Sequence, residues 1–317
     1  MRNRHRPART DERRHVGRGP ELAGVAELRE REEAGIPWCG SISGGRPPLC
    51  SASPNELIST VPEGLAMQER PGVKSDRTLF KILEVLRERG PIRLTAVASE
   101  LGVAKSTVHS HLAVLQERDF AVHTEDGYDL GLRLLDYGLE SRRRQALFEF
   151  GRGKVDELAE QTGERSWCIV EEDGMGVYLY GATGKHAVSS PEDIGTRRPL
   201  HHIAAGKAVM ANLPSERVDE IVEQNGITAA TDRTITDRED LAEELAEIRE
   251  RGVAYNLQEG ILGVHAIAAP VLDTDGSVFG SISIAGPANR LTRERLGSEL
   301  RDLIRGATNE VAVNIRT

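Results

Sequence analysis

Residues 94–115 constrain the fold of this chain more than any other stretch, because their apolar side chains recur at the spacing of two short packed helices. Gly102 lies between the two predicted helices, where a residue without a Cβ tolerates positive φ. The pattern predicts a helix-turn-helix, a motif whose second helix presents its first turns to the DNA major groove. The apolar positions are Val97, Leu101, Val103, Val108, Leu112 and Leu115.

The start of the second predicted helix carries polar side chains suited to DNA. From this position, amino and hydroxyl groups reach phosphates and base edges. Ser106 could instead cap the helix by accepting a backbone N–H. We favour DNA contact because the whole motif surrounds these residues. The predicted DNA-binding residues are Lys105, Ser106, Thr107, His109 and Ser110.

The flanking segments extend this motif to a winged helix. An amphipathic helix is predicted from about residue 73 to Gly90-Pro91, with apolar side chains at the spacing i, i+3, i+4, i+7. After the motif, residues 120–124 and 128–130 alternate in polarity around Asp126-Gly127, which predicts a hairpin. One helix, a helix-turn-helix and a hairpin together make a winged helix.

The second half of the chain predicts a mixed α/β domain with largely antiparallel pairing, so the fold class of the whole is α+β. One helix is expected over residues 131–162, linking the two domains, and Gly252 is expected to end another. The further strands are predicted at 168–170, 177–180, 264–272 and 277–285, and the further helices at 202–212, 215–225, 238–251 and 291–314.

Charge sets a condition on DNA binding. The chain has 41 Lys and Arg against 50 Asp and Glu, a net charge of −9, whereas DNA-binding domains are usually basic. Either the basic groups are concentrated on one face, or the protein works in unusual conditions. Only 6 of the basic residues are lysine. Acidic, lysine-poor surfaces suit a very salty cytoplasm, so we expect a halophilic, archaeal origin.

The sequence does not favour a membrane protein, a secreted protein or a metal-binding protein. No apolar run approaches the about 20 residues that span a bilayer, and no secretory signal is recognisable, so we expect a cytoplasmic protein. Cys39, Cys50 and Cys168 lack the spacing of metal ligands or of a disulfide framework, and Cys168 fits a core strand. His186, His201, His202 and His265 lack metal-ligand spacing too. We expect no catalytic residues, no metal and no cofactor.

The first 70 residues differ from the rest. They begin with seven arginines in 18 residues and continue without apolar periodicity, so we expect a disordered extension. A basic arm on DNA is an alternative, and so is a translation start at Met67. The predicted domains are 71–132 for the winged helix, 133–148 for a linker helix and 149–317 for the second domain.

Several segments, taken in their order along the chain, resemble the IclR family of transcriptional regulators over about residues 73–317. Each segment is weak alone, but the ordered set is highly specific. The segments are Lys105–His109, Tyr128–Leu134, Ile194–His201, Ala205–Ala208, Arg251–Gly260 and Gly263–Val271.

The resemblance implies a C-terminal effector-binding domain of GAF/PAS-like shape and assembly as a homodimer or homotetramer. Backbone N–H groups at Ala204, Ala205 and Gly206 would face a carboxylate. Asn256, Ala266 and Ala285 replace the Asp, Cys and Ser common in the family, which favours a less polar pocket. The residues implied to line it are Leu200, Ala204, Ala205, Asn256, Val264, Ala266, Ser283 and Ala285.

We therefore expect a transcriptional regulator that binds double-stranded promoter DNA and responds to a small molecule, with organic or aromatic acids as candidate effectors. The alternative is an architectural DNA-binding protein whose second domain only oligomerises. The small residues at the pocket positions could also simply pack helix on sheet.

The acidic composition predicts that salt stabilises the fold. Mutual repulsion between carboxylates falls as salt screens it, so the melting temperature should rise from low to molar KCl. Thermal melting monitored by circular dichroism checks this. A fold equally stable without molar salt would contradict the halophilic assignment.

Overall fold

The computed structural model describes residues 72–189 and 192–316. The expectations for the first 70 residues, for Met67 and for Cys39 and Cys50 lie outside these ranges. Within them, the order of elements in the first part follows the predicted winged helix. These elements are α1 (Lys74–Arg89), α2 (Leu94–Leu101), α3 (Lys105–Glu117), β1 (Ala121–His123) and β2 (Tyr128–Leu130).

The core of the winged helix is the set of side chains that the helical spacing selected. Val97, Val108 and Leu112 are fully buried, against Ile82 and Leu86 of α1. Burial on this scale removes apolar surface from water at roughly 25 cal/mol per Å². The three helices are therefore held by one small core.

Two turns fix the connections of the winged helix. Gly102 ends α2 in the left-handed conformation at φ 63°, as the sequence predicted. In the hairpin, Ala121 pairs with Leu130 and His123 with Tyr128 in antiparallel register. Tyr128 also exchanges backbone hydrogen bonds with Ile92, which ties the wing to the start of the motif.

The prediction of one helix over residues 131–162 is wrong. The chain forms α4 (Arg133–Arg143) and α5 (Ala146–Thr162), because Gln145 is extended at φ −87° and ψ 112°. Burial explains the break: α4 buries none of its residues, whereas Leu147 and Phe148 enter the core of the second domain at once. The predicted linker over 133–148 therefore contains the whole of α4 and the first residues of α5.

A six-stranded antiparallel sheet forms the centre of the second domain, in the order β5-β4-β3-β8-β7-β6. The four long strands were predicted, with boundaries that differ by a few residues. The short edge strands β5 and β6 were not predicted. The strands are β3 (Arg165–Glu172), β4 (Met175–Thr183), β5 (Arg197–Pro199), β6 (Ala254–Leu257), β7 (Val264–Leu272) and β8 (Val278–Pro287).

Helices cover both faces of this sheet. One face packs on α5 and the C-terminal helix through the side chains of Cys168, Ile267 and Ile284. The other face, which carries Trp167 and Ala268, packs on a short helix beside the sheet. The remaining helical elements are a 3₁₀ turn (Leu200–His202), α6 (Ala204–Met210), α7 (Ser215–Asn225), α8 (Arg238–Arg251), α9 (Arg293–Gly297) and α10 (Glu299–Arg316).

Local sequence signals place the ends of these helices. Asp237 caps α8 by accepting hydrogen bonds from two backbone N–H groups, and Gly252 ends it at φ 75°, as predicted. The predicted terminal helix over 291–314 is instead α9 and α10, because Ser298 interrupts it at φ −120° and ψ −94°. Among the described residues, no helix has the length and apolar character needed to cross a membrane.

The buried side of α3 predicts the effect of mutation. Leu112→Ala should lower the free energy of unfolding by about 2–5 kcal/mol, because a cavity replaces a fully buried side chain. Val114→Ala is the matched control, since Val114 is 50% exposed on the same helix, and should change stability by less than about 0.5 kcal/mol. Urea unfolding measures both, and equal effects would contradict this packing.

Candidate DNA-binding and effector-binding sites

All five predicted DNA-binding side chains lie on the exposed side of α3. Val108 and Leu112 anchor the opposite side in the core, so Lys105, Thr107 and His109 point away from it. The result is a polar helix surface free to enter a groove, with the first helical turn foremost.

Ser106 does not cap this helix. The N-cap residue is Ala104, no side chain accepts a hydrogen bond there, and α3 begins at Lys105. The hydroxyl of Ser110 donates to the backbone carbonyl of Ser106 at 3.0 Å, a contact within the helix that leaves the Ser106 hydroxyl exposed. The capping alternative for Ser106 is therefore wrong.

The DNA-facing surface carries little positive charge. Lys105 is the one lysine of α3, and the wing tip presents the exposed acids Glu125 and Asp126. His123, at the end of β1 next to the wing tip, packs edge-on against Tyr128 with ring centroids 4.6 Å apart. Such a surface offers few cations to pair with phosphates.

The eight predicted effector-binding residues gather where α6 and the 3₁₀ turn lie on the sheet. Asn256, Ala266 and Ala285 stand opposite each other on three adjacent strands, in the registers Asn256 to Ala266 and Ala266 to Ala285. Ser283 lies on β8 in the neighbouring row, paired with Ala268 of β7. Leu200, Ala204 and Ala205 cover this face and are buried, while Val264 is half-buried at the start of β7.

Asn256 holds the backbone of two loops. Its side-chain amide donates to the carbonyl of His202 at 2.6 Å, and its Oδ1 accepts the backbone N–H of Glu259 at 3.0 Å. An aspartate at this position would have no donor for His202. Asn256 thus joins the 3₁₀ turn to the end of β6.

Aromatic and hydroxyl groups that the sequence analysis missed complete this face. Trp167 crosses the sheet to lie on Gly181, where an added Cβ would come within 2.1 Å of the indole ring. Tyr178 meets Trp167 edge-on at 5.0 Å, and Ser281 donates to the carbonyl of Ala205 at 3.0 Å. Trp167 directly precedes the strand predicted at 168–170, and its alternation with Ile169 was the signal that could have found the indole.

A buried cluster of charged side chains joins α6 to α8 and to the loop after β6. Lys207 is 1% exposed and places its Nζ 2.7 Å from Glu259 and 3.2 Å from Glu244. Arg251 also reaches Glu244, at 2.8 Å. Removing one partner of such a buried set would leave an uncompensated charge, which costs far more than a surface ion pair.

Two adjacent histidines bind the same carbonyl oxygen. The Nε2 atoms of His201 and His202 lie 2.9 and 2.7 Å from the carbonyl oxygen of Thr228, so both rings donate from neutral tautomers protonated on Nε2. Burial lowers the pKa of His201 to about 4, and burial lowers the pKa of His202 too. These contacts fasten the 3₁₀ turn to the loop that carries Thr228.

Cys168 lies on the other face of the sheet, fully buried, as a core residue. Burial raises the pKa of its thiol to about 12, so the thiolate is not accessible near neutral pH.

The predicted effector face is closely packed. Two surface cavities, of about 350 and 530 Å³, lie elsewhere, and none of the eight residues lines either of them. Gly206 of α6 packs directly on the backbone of Leu200, where an added Cβ would come within 2.1 Å of the carbonyl oxygen. A ligand entering this face has to displace side chains such as that of Trp167.

Two family models match the chain at these sites. The IclR helix-turn-helix domain matches residues 78–125, and the bacterial transcriptional regulator IclR C-terminal domain matches residues 141–313. The chain belongs to the IclR family. Proteins of this family are DNA-binding transcriptional regulators with an effector-binding C-terminal domain, so the resemblance seen in the sequence is confirmed, and so is the α+β fold class.

Individual relatives agree with this assignment. A probable HTH-type transcriptional regulator ArcR from Halobacterium salinarum is 29% identical over 81% of this chain and 99% of its own length. The regulator KdgR of Escherichia coli is 30% identical over 71% of this chain and 86% of its own. The crystal structure of Thermotoga maritima IclR covers 76% of this chain and 98% of its own, with 25% identity and a TM-score of 0.67. The Halobacterium relative supports the expected halophilic archaeal origin.

The histidine pair predicts a pH dependence of stability. Because the pKa of His201 falls from 6.5 to about 4 on folding, the unfolded chain takes up a proton that the folded protein resists. As the pH is lowered from 6.5 to 4, the free energy of unfolding should therefore decrease, by about 3 kcal/mol for this group.

His201→Gln keeps an N–H donor for Thr228 but cannot take up the proton. Between pH 6.5 and 4, the free energy of unfolding measured with urea should therefore decrease less in this variant than in the wild type, by about 3 kcal/mol. His123→Gln, which changes an exposed histidine of the wing, should keep the wild-type slope. An unchanged slope in the His201 variant would contradict the lowered pKa of His201.

Proposed function

We propose that this protein regulates transcription in the cytoplasm by binding promoter DNA as a symmetric homo-oligomer, without catalysis, and that a small molecule alters this binding. The observation that carries the proposal is the polar surface of α3, which the helix core holds outward beside a short hairpin wing. Residues 71–132 form the DNA-binding domain and 149–317 the effector-binding domain.

The five polar side chains of α3 contact DNA. Thr107, His109 and Ser110 read base edges, while Lys105 and Ser106 bind phosphates. Because Lys105 is the one lysine on this helix, the binding depends less on salt than that of a basic domain. Such binding suits a salty cytoplasm.

The partner that completes the DNA-binding unit is a second copy of the chain. Leu132, which precedes α4, and Leu135, three residues later on the same side of the helix, are 84 and 57% exposed. Large apolar side chains clustered on an otherwise polar helix mark an interaction surface, and a self-complementary contact gives the two-fold symmetry that paired half-sites need.

Sedimentation velocity tests this pairing. The wild-type protein should sediment as a dimer or larger, and Leu135→Asp should shift it toward monomer. A wild-type protein that is monomeric at all concentrations would contradict the pairing.

The effector binds between α6 and the sheet, against Leu200, Ala204, Ala205, Asn256, Val264, Ala266, Ser283 and Ala285. Alanine at positions 266 and 285 and the indole of Trp167 make this site largely apolar, which favours an organic acid with an aromatic or aliphatic body. The effector acts by population shift: it binds one arrangement of the paired winged helices better than the other.

The close packing of this face also favours a second candidate function, an architectural DNA-binding protein whose second domain only oligomerises. A thermal-shift screen with organic acids separates the two, because a bound effector has to stabilise the fold by mass action. Stabilisation by an acid that also changes operator affinity supports the regulator, and no stabilisation by any acid supports the architectural protein.

Two alanine variants of α3 test the DNA contacts. Thr107→Ala should weaken operator binding roughly tenfold or more, since a base contact is worth about 1–3 kcal/mol. Lys105→Ala should weaken binding to all sequences and reduce the slope of log affinity against log salt by about 1. Fluorescence anisotropy with the protein's own promoter, across KCl concentrations, measures both.

Lys81→Ala is the matched control, because Lys81 is an exposed lysine on α1 of the same domain. Its affinity and salt slope should equal those of the wild type. If Lys105→Ala and Thr107→Ala also bind with wild-type affinity, α3 is not the recognition helix.

A further inference from the structure

A surface groove of about 350 Å³ lies at the end of the sheet where α8 and α10 approach each other. Ile248, Pro270 and Leu272 give it apolar walls, and the buried Thr308 lies beneath them. β6 pairs with β7 only as far as Ala268, so the edge of β7 is open toward the groove. The volume suits a small organic ligand.

Three arginines line the groove, and no acidic side chain is among its described lining residues. The charge of the groove is therefore opposite to that of the whole chain, in which acidic residues outnumber basic ones. Arg249 donates from Nε to the carbonyl of Ala211 at 2.7 Å, and Arg316 lies 3.4 Å from Asp273. Two of the three guanidinium groups therefore have partners.

Arg305 differs from the other two. Its guanidinium makes no hydrogen bond or ion pair with any residue in the ranges 72–189 and 192–316, and it lies beside Gly252, about 3.5 Å from where a Cβ would be. A side chain at position 252 would lie against this cation, and glycine leaves that side of it uncovered. A guanidinium presents a planar fork of N–H donors that matches the oxygens of a phosphate or carboxylate.

The groove is separate from the predicted effector face. Pro270 follows Ala266 by four residues on β7, about 13 Å along the strand, and Arg305 comes from a helix that packs on the other face of the sheet. A ligand in the groove would contact none of the eight predicted effector-binding residues, although Asn212, two residues after the end of α6, is among the lining residues.

We propose that this groove is a second small-molecule site, which binds an oxyanion with a small apolar body. The fork of Arg305 holds the anionic group, and the apolar walls around Leu272 hold the body. Organic phosphates and organic carboxylates share this chemistry.

Helix ends offer a simpler role for these arginines. Arg249 and Arg316 lie in the last turns of α8 and α10, where cations offset the exposed carbonyls. Arg305 lies in the seventh position of its eighteen-residue helix, so it does not serve the end of its own helix. If it served only the end of α8, its removal would lower stability slightly and would leave anion binding unchanged.

Calorimetric titration of the full-length protein tests the site without DNA, so its result is independent of the proposed regulation. The probes are phenyl phosphate, benzoate and inorganic phosphate, at constant ionic strength set with KCl. We expect phenyl phosphate or benzoate to bind more tightly than inorganic phosphate, and the tighter of the two identifies the anionic group.

Arg305→Gln should weaken this binding on the order of tenfold to a hundredfold. Arg293→Gln is the matched control, because Arg293 is an exposed arginine of the same domain outside the groove, and it should bind as the wild type does. Arg305→Lys keeps the charge without the fork and should give an intermediate affinity, which also serves if the glutamine variant does not fold.

Three results would overturn the proposal. The first is that the wild type binds none of the probes, and the second is that both glutamine variants bind equally well or equally poorly. The third is that Arg305→Gln keeps probe affinity but changes the sedimentation coefficient, which would make the groove an interface between copies of the chain.

Discussion

The burial of one side of α3 is the constraint on which the DNA-binding half depends. Val108 and Leu112 are fully buried, and between them the helix can present only its other side to solvent. The polar residues from Lys105 to Ser110 are exposed because the period of the helix places them away from the side that Val108 and Leu112 bury. The same contacts with Ile82 and Val97 that stabilise this small core therefore orient the side chains that we propose contact DNA.

In the second domain, polar contacts position the predicted effector face. Asn256 joins the turn at His202 to the loop at Glu259, and Glu259 binds the buried Lys207 of α6. The hydroxyls of Thr231 and Thr234 also donate to the carbonyl of Glu259. Such a connected network resists the loss of any one member, so effector entry is expected to move it as a unit. That movement is a physical route by which an effector could alter the rest of the domain.

Local patterns in the sequence were sufficient for the winged helix and for the longer helices and strands. The ends of α7 and α8 match the predicted ranges, since Gly252 and the periodic apolar residues are local signals. The break before Ala146 was not predictable, because it depends on the burial of Leu147 in a core formed by distant strands. β5 and β6 have three and four residues, too few to show a period.

The same distinction between local sequence signals and contacts between distant residues applies to the candidate sites. The exposed positions of α3 could be read from spacing, whereas the contacts of Asn256 could not, because His202 lies 54 residues away in sequence. The partners of Lys207 are 37 and 52 residues distant, so no local pattern around Lys207 could show that it is buried. Trp167 can lie over the predicted effector face because its cross-strand neighbour, Gly181, has no side chain in the way of the indole ring.

Hydroxyl-radical footprinting of the full-length protein on its own upstream promoter tests the central claim most directly. If α3 reads DNA as one of a symmetric pair, two protected segments should lie on one face of the duplex, about one helical turn or a multiple of it apart. A single protected segment, or none at any salt concentration, would contradict the account.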